Sequence, residues 1–459
     1  MSGRTPVAVL CTVGVTPRLL PHMPNLRAIG EEGFTAPLET VFPAVTSTVQ
    51  ASLTTGLLPR DHGAVGNGWY VRSRAEVQFW GQHNGLVSGE KVWRTARALA
   101  PDHRTAYLCW WFAMGAETDT VLTPRPVYRY DGRKEPDCYT RPAALRDVLT
   151  DTLGVFPLFR YWGPMADITS TRWVVAASRL VIRATSPDLA FVYVPHLDYD
   201  LQRFGPDGVE AIRAARQTDA ALGPLLRELR DRGTTVLALS EYGITGVDRP
   251  VDINRALRRE GLLGVFTQRG MEYLDPHSSR AFAVADHQIA HVYVGDRADV
   301  PRVRDVLTAL PGVERVLDRG EQASLGVDHD RSGELIAIAE SGAWFTYYYW
   351  LDDERAPDFA RGVEIHRKPG YDPAELFFDP QQRHVRGRAA LAVLGKKIGM
   401  RAPLTVVPLD ASLVRGSHGR LPDCPQDGPV LLCSDPAQAR DRYRATDVKQ
   451  LILRLSGLG

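Results

Sequence analysis

A chain of 459 residues can bury a large core, and with 55 Lys plus Arg against 54 Asp plus Glu its net charge of +1 gives no bulk support for a nucleic-acid or acidic-membrane partner. Any anionic ligand must therefore be held by a local site. The five cysteines (Cys11, Cys109, Cys138, Cys424 and Cys433) are scattered and lack CxxC spacing, which argues against a disulfide framework or a cysteine-rich zinc site and fits a reducing compartment.

The opening MSGRTPVAVLCTVGVTP carries an apolar run too short for a signal-peptide core, and no later stretch approaches the length of a membrane span. A soluble, cytoplasmic protein is expected. Val7 to Val13 reads as a buried parallel strand ending at Gly14, and Met23 to Gly33 as a helix, with Leu26 and Ile29 on one face and Gly33 as its stop. Phe42-Pro43 then closes an extended segment, and a helix should start near Thr46, where Thr46, Ser47 and Thr48 are good capping residues. Free N–H groups at such a start attract anions, so a hydroxyl there is well placed as a nucleophile if a metal or a base activates it. Capping alone is the plainer reading.

After a stretch rich in Trp, Tyr and Pro comes LAFVYVP (Leu189 to Pro195), a second buried strand opening onto HLDYDLQRFGP, and Ala211 to Leu229 forms an amphipathic helix. TTVLALS (Thr234 to Ser240) is a third strand, ending in the polar turn EYGIT. Apolar strands alternating with amphipathic helices predict a mostly parallel α/β sheet sandwiched by helices, with ligands at the strands' carboxyl ends. Thr46, Asp198 and Glu241 should project from that edge. Residues 251–326 change character and are expected to be a small, cap-like α+β insertion, with AFAVADHQIAHVYV as a strand; 1–250 and 327–459 form the core. The main sheet is expected to resume with GELIAIAE (Gly333 to Glu340) and WFTYYYW (Trp344 to Trp350), and later GSHG places His418 in a glycine-flanked turn. GPVLLCS and the helix VKQLILRL finish the chain.

The blocks MPNL, FPAVT and SLTTGLLPRDHGAVGN, the Asp198 turn ending in FGP, the turn at Glu241, Tyr242 and Gly243, and GSHG occur in series. Together they resemble the nucleotide pyrophosphatase/type I phosphodiesterase branch of the alkaline phosphatase superfamily. The resemblance implies an alkaline-phosphatase-like fold and a threonine nucleophile between two zinc ions. It places the nucleophile at Thr46, the first carboxylate of an Asp-x-x-x-His pair at Asp198 and a distal histidine at His418. Four positions depart from it. An aspartate after strand one falls on Val13, the histidine of the spaced pair on Gln202, an Asp-His pair on Glu241 and Tyr242, and an asparagine that holds a phosphoryl oxygen on Val49.

Valine binds no metal, and glutamine and tyrosine are poor zinc ligands beside histidine, so either the metal site is rebuilt or the chemistry has changed. Rebuilding could draw on His196, Asp198 and Asp200 at one strand end, or on Asp286, His287 and His291, where the two histidines share a face on a strand or a helix alike. A histidine pair in an apolar strand is otherwise structural. Glu241 is a candidate ligand or general base, against the reading of a solvated loop carboxylate. Gln202, Tyr242, Asn67 and Trp69 are assigned to the substrate pocket, His62 to a structural turn, and Lys91, Arg367 and Lys368 are weaker phosphate contacts. HRKPGYDP (His366 to Pro373) stands out as a substrate loop.

The sequence thus predicts a phosphoric ester or anhydride hydrolase, or a phosphoryl-type transferase. It would act on a small phosphorylated or nucleotide-like metabolite through Thr46, with a divalent metal, zinc before others, as one ion rather than two or as none. The alternatives are a non-catalytic ligand-binding member and a metal-free group transferase in a biosynthetic pathway, with Glu241 as base. No nucleic acid or membrane partner is expected, and the oligomeric state is left open.

Overall fold

The computed structural model describes residues 4–130, 133–382, 387 and 405–459. In chain order the elements that place the site are β1 (Val7–Thr12), α1 (Pro24–Glu32), β2 (Phe34–Glu39), α2 (Thr46–Thr55), β3 (Thr105–Leu108), β4 (Thr120–Pro124), β5 (Cys138–Arg141), α3 (Ile168–Thr185), β6 (Leu189–Val194), α4 (His196–Phe204), α5 (Val209–Asp231) and β7 (Thr235–Leu239). They continue with β8 (Ala281–Asp286), β9 (Ile289–Val294), α6 (Val300–Thr308), β10 (Val313–Leu317), β11 (Leu335–Ala339), β12 (Val430–Cys433), β13 (Tyr443–Arg444) and α7 (Val448–Leu455).

Nine strands form one sheet in the order β13-β2-β12-β7-β1-β6-β3-β4-β5. Its centre is parallel: β1 pairs with β6 from Val7↔Leu189 to Thr12↔Val194 and with β7 from Val7↔Thr235 to Cys11↔Leu239. Every residue of β1 and β6 is buried, as apolar runs covered by helices on both faces require. The mostly parallel, helix-sandwiched sheet is the one the alternation of strands and helices predicted, and among the described residues no helix is long and apolar enough to cross a membrane.

β6, β1 and β7 are neighbours, so the turns that follow them open side by side at one edge. The turn after β1 passes through Gly14 at φ +77°, where an added Cβ would stand 2.9 Å from Leu201 Cδ1. The absence of a side chain there lets α4 lie against the end of β1.

Three local expectations are corrected. AFAVADHQIAHVYV is a hairpin, not one strand: β8 and β9 pair antiparallel around His287 and Gln288, with His287 at φ +64°. Leu335–Ala339, assigned to the main sheet, instead pairs with β9, completing a separate antiparallel sheet in the order β8-β9-β11-β10. The second core therefore runs beyond residue 326, through Phe345 and Trp350 to Tyr371, because an apolar run does not reveal which of two sheets it joins. Finally, the segment after Pro195 enters a helix at once, which separates His196 and Asp200 from Asp198.

Candidate active site

Thr46 is the first residue of α2 and is 4% exposed, with Val45 before it in extended conformation. Its hydroxyl lies 2.9 Å from the hydroxyl of Tyr242, and Tyr242 lies 3.5 Å from Asp198 Oδ1. Asp198 sits in the first turn of α4; one helical turn on, Gln202 donates from Nε2 to Asp198 Oδ2 at 2.7 Å and accepts at Oε1 from the Tyr371 hydroxyl at 2.9 Å. His418 Nε2 stands 3.9 Å from Asp198 Oδ1, while its Nδ1 donates to the carbonyl of Ala44 at 2.8 Å. Thr46, Asp198 and His418, drawn from three distant parts of the chain, thus meet at one place.

Glu241 adds a second carboxyl. It follows β7, is fully buried, and accepts at Oε1 from Gln50 Nε2 at 2.5 Å and from the Cys11 thiol at 3.3 Å, while Oε2 has no partner. Burial pushes its carboxyl up to about 8; Gln50, Cys11 and the nearby Thr46 hydroxyl oppose that, and the Asp198 charge reinforces it. Asp198 is raised to about 7, again chiefly by burial, against the opposing bonds from Gln202 and Tyr242. Asp198 is thus the more readily ionised of the two carboxyls, and its Oδ1 accepts from the Tyr242 hydroxyl, which in turn lies beside Thr46.

Four rings stack beside these groups. Tyr242 lies on His418 with centroids 3.6 Å apart at 9°, His418 on His287 at 3.8 Å, and His287 on Tyr371 at 3.6 Å. Burial holds both imidazoles well below their ordinary pKa, so they are neutral at pH 7. Trp80 and Trp162, both half-buried, continue the aromatic surface from Tyr371 at 6.0 and 5.8 Å.

The remaining candidates divide. Asn67 reaches the start of α2, accepting from Ser47 N at 3.0 Å, and is itself fixed by Asp286, which accepts from its backbone N at 2.7 Å and its Nδ2 at 3.0 Å. Val49 lies in the apolar core, so the amide beside the helix start comes from Asn67 and not from position 49. Trp69 packs elsewhere, with Phe42 and Val65 and under the guanidinium of Arg331 at 4.8 Å.

The proposed rebuilt metal sites do not assemble. In a helix, residues two apart lie on opposite sides, so His196 turns toward Tyr199 and Asp200 pairs with Arg203 at 3.0 Å, leaving Asp198 to face the site without them. His291 is tied to the Val65 carbonyl at 2.9 Å and the Gly333 N–H at 3.2 Å, and the hairpin turn parts it from His287, whose Nδ1 bonds to Asp286 at 2.8 Å. Lys368 is buried against Asp372 and Glu375 rather than offered to a phosphate, and the Lys91 ammonium donates to the Val87 carbonyl at 2.5 Å. His62 holds its turn through Ser52 and Ala64, as expected.

Zinc takes about four N, O or S donors at roughly 2 Å. Asp198 and His418 supply one carboxylate and one imidazole nitrogen, and among the described residues no group of three or more His, Cys, Asp or Glu side chains could hold an ion. The donor set does not fit the two-zinc centre that the resemblance implies.

Two functional residues escaped the sequence. Gln50 stands one helical turn after Thr46 and links Glu241 to the backbone N–H of Trp111 at 2.8 Å; its i, i+4 spacing from Thr46 was the available signal. Tyr371 lies inside the HRKPGYDP segment, but its contact with Gln202 is made across the fold.

Residues 7–372 match the family described as type I phosphodiesterase / nucleotide pyrophosphatase. An uncharacterized pyrophosphatase/phosphodiesterase of Schizosaccharomyces pombe is 24% identical over 245 residues, a match that spans 51% of this chain and 42% of that protein's length. Murine ectonucleotide pyrophosphatase / phosphodiesterase 5 in complex with AMP superimposes with a TM-score of 0.60 at 16% identity, covering 99% of this chain and 96% of that one. Phosphonoacetate hydrolase from Sinorhizobium meliloti in complex with phosphonoformate gives 0.62 at 15% identity, with the same coverage of 99% and 96%. At such identities the likeness establishes a common fold.

Proposed function

The chain belongs to the type I phosphodiesterase/nucleotide pyrophosphatase family, and from that premise we propose that it cleaves or transfers at a phosphate ester or anhydride through Thr46. The observation that carries this is the Thr46 hydroxyl, held at the first turn of α2 by the Tyr242 hydroxyl at 2.9 Å, with the buried Glu241 carboxyl fixed by Gln50 one helical turn further on. A helix start favours the anionic phosphoryl group, and a carboxylate beside the hydroxyl removes its proton as it attacks. In that step Thr46 Oγ1 forms the bond to phosphorus, its proton passes to Glu241, and the ester bond breaks with its electron pair leaving on the departing oxygen. Tyr242 positions the hydroxyl, and Asp198, braced by Gln202, positions Tyr242. No step is assigned to a metal ion.

The substrate class is a small phosphorylated metabolite, supported by the solved relatives in complex with AMP and with phosphonoformate. A second reading, a ligand-binding member without turnover, is favoured by the packing of Tyr242, His418, His287 and Tyr371 around a nucleophile that is almost wholly buried. Nitrophenyl phosphate mono- and diesters assayed with wild type and Thr46→Ala decide between them. Turnover that Thr46→Ala abolishes supports the enzyme; equal activity or equal inertness in the two proteins removes Thr46 as nucleophile.

A further inference from the structure

Positions 13, 202 and 242 decide what the centre can hold. Val13 is a buried alkyl group in the main core, with no lone pair to offer. Gln202 is engaged at both ends, by Asp198 and by Tyr371. The Tyr242 hydroxyl bridges Thr46 and Asp198, the place where a cation joining nucleophile and carboxylate would have to stand.

The rings close the remaining room. His418 is fixed in plane by the Ala44 carbonyl and packed between Tyr242 and His287 at van der Waals distance, and the His418 loop is itself pinned, since its carbonyl accepts from Gln288 N at 2.8 Å. An incoming ion would have to break the Tyr242–Thr46 bond and part stacked, buried rings, and Asp198, His418 and Glu241 do not converge into a group that could hold it. The donors of Gln202, Tyr242 and His418 are each engaged by a neighbouring group.

We propose that this centre excludes zinc and manganese, and that the hydrogen-bonded Tyr242 hydroxyl, with the Tyr242–His418–His287–Tyr371 column, fills the place of the cations. The inference rests on the reading of Thr46 as the reacting group, but its test does not use turnover. Tag-free full-length protein, produced with added zinc and manganese, is analysed for bound metal and then titrated calorimetrically with zinc chloride or manganese chloride.

Wild type is expected to carry far less than one equivalent and to give no saturable heat. Val13→Asp, Gln202→His and Tyr242→His combined are expected to create a saturable zinc isotherm of about one equivalent or more. Stoichiometric metal on wild type that Asp198→Asn removes overturns the proposal, whereas metal that survives Asp198→Asn lies elsewhere and leaves it standing. A folded triple variant that takes up no zinc also overturns it. If the triple variant does not fold, Tyr242→His alone replaces it, and the wild-type isotherm keeps the question decidable. Loss of turnover in Thr46→Ala is scored separately, so the chemistry and the metal content can fail independently.

Discussion

Two buried polar clusters in this molecule are built in opposite ways. In one, the Lys368 ammonium meets Asp372 at 2.7 Å and Glu375 at 2.8 Å, and Glu375 also accepts from Trp162 Nε1 at 2.6 Å and Glu364 N at 2.9 Å. Burial by itself would lower the lysine, but the two carboxylates carry it above its ordinary value. In the other, Glu241 and Asp198 are buried without a cation, one Glu241 oxygen has no partner, and both carboxyls are pushed up. A satisfied cluster locks the chain in place, here the segment that delivers Tyr371. An unsatisfied one stores a desolvation cost, which here lifts both carboxyls toward neutral pH.

The strongest way to break this contrast is Thr46→Ala. If the unsatisfied cluster is chemical, phosphoester turnover falls by ~1,000-fold or more with the far-ultraviolet circular dichroism unchanged. Next comes Lys368→Met, which leaves Asp372 and Glu375 facing each other without a counter-charge and should cost about 3 kcal/mol of stability by denaturant unfolding. The pH profile of turnover should keep its shape in that variant. An altered profile would mean that the two clusters are not separate in role.

Glu241→Gln sharpens the comparison from the other side. A base must be ionised, so wild-type kcat/KM should rise with pH through about 8, and Glu241→Gln should lose that rise together with about 100-fold in rate. The stability effect has the opposite sign. A carboxyl whose folded pKa is raised contributes stability that is complete below its unfolded value near 4.5 and is lost as pH climbs through about 8. For Glu241 the loss is on the order of 5 kcal/mol. Thermal melts across that window should therefore decline in wild type and decline less steeply in Glu241→Gln, where the raised Asp198 carboxyl still contributes. Tyr371→Phe, which removes one hydrogen bond to Gln202 and keeps the stacked ring, is the mildest test, at about 1 kcal/mol in stability.

How far the sequence could be read followed from the range of the signal. The strands around β1 were legible because each is a continuous apolar run, and the α2 start because a proline turn and three hydroxyl residues mark it locally. The motifs identified Thr46, Asp198 and His418, and strand order explains why two of the turns meet. β11 was assigned to the wrong sheet because its run of apolar residues suits either one. His196, Asp198 and Asp200 crowd one strand end in the sequence, but the chain is already helical there and their two-residue spacing puts Asp198 on a different side from the other two. Tyr371 carried no signal of its own and Gln50 only its i, i+4 spacing from Thr46, since each acts through a partner at a distance in sequence: Gln202 for one, Glu241 for the other.

The sequence by itself determined the parallel α/β architecture, the hydroxyl at the start of α2 and the absence of a carboxylate at Val13 and of an imidazole at Gln202 and Tyr242, because those follow from side-chain type and local pattern. Tertiary structure alone decided what replaced the lost donors. Only packing β8–β9 and the Tyr371 segment against the main sheet's edge brings Tyr242, His418, His287 and Tyr371 into one stack, and ring contacts between residues so far apart leave no trace in local periodicity.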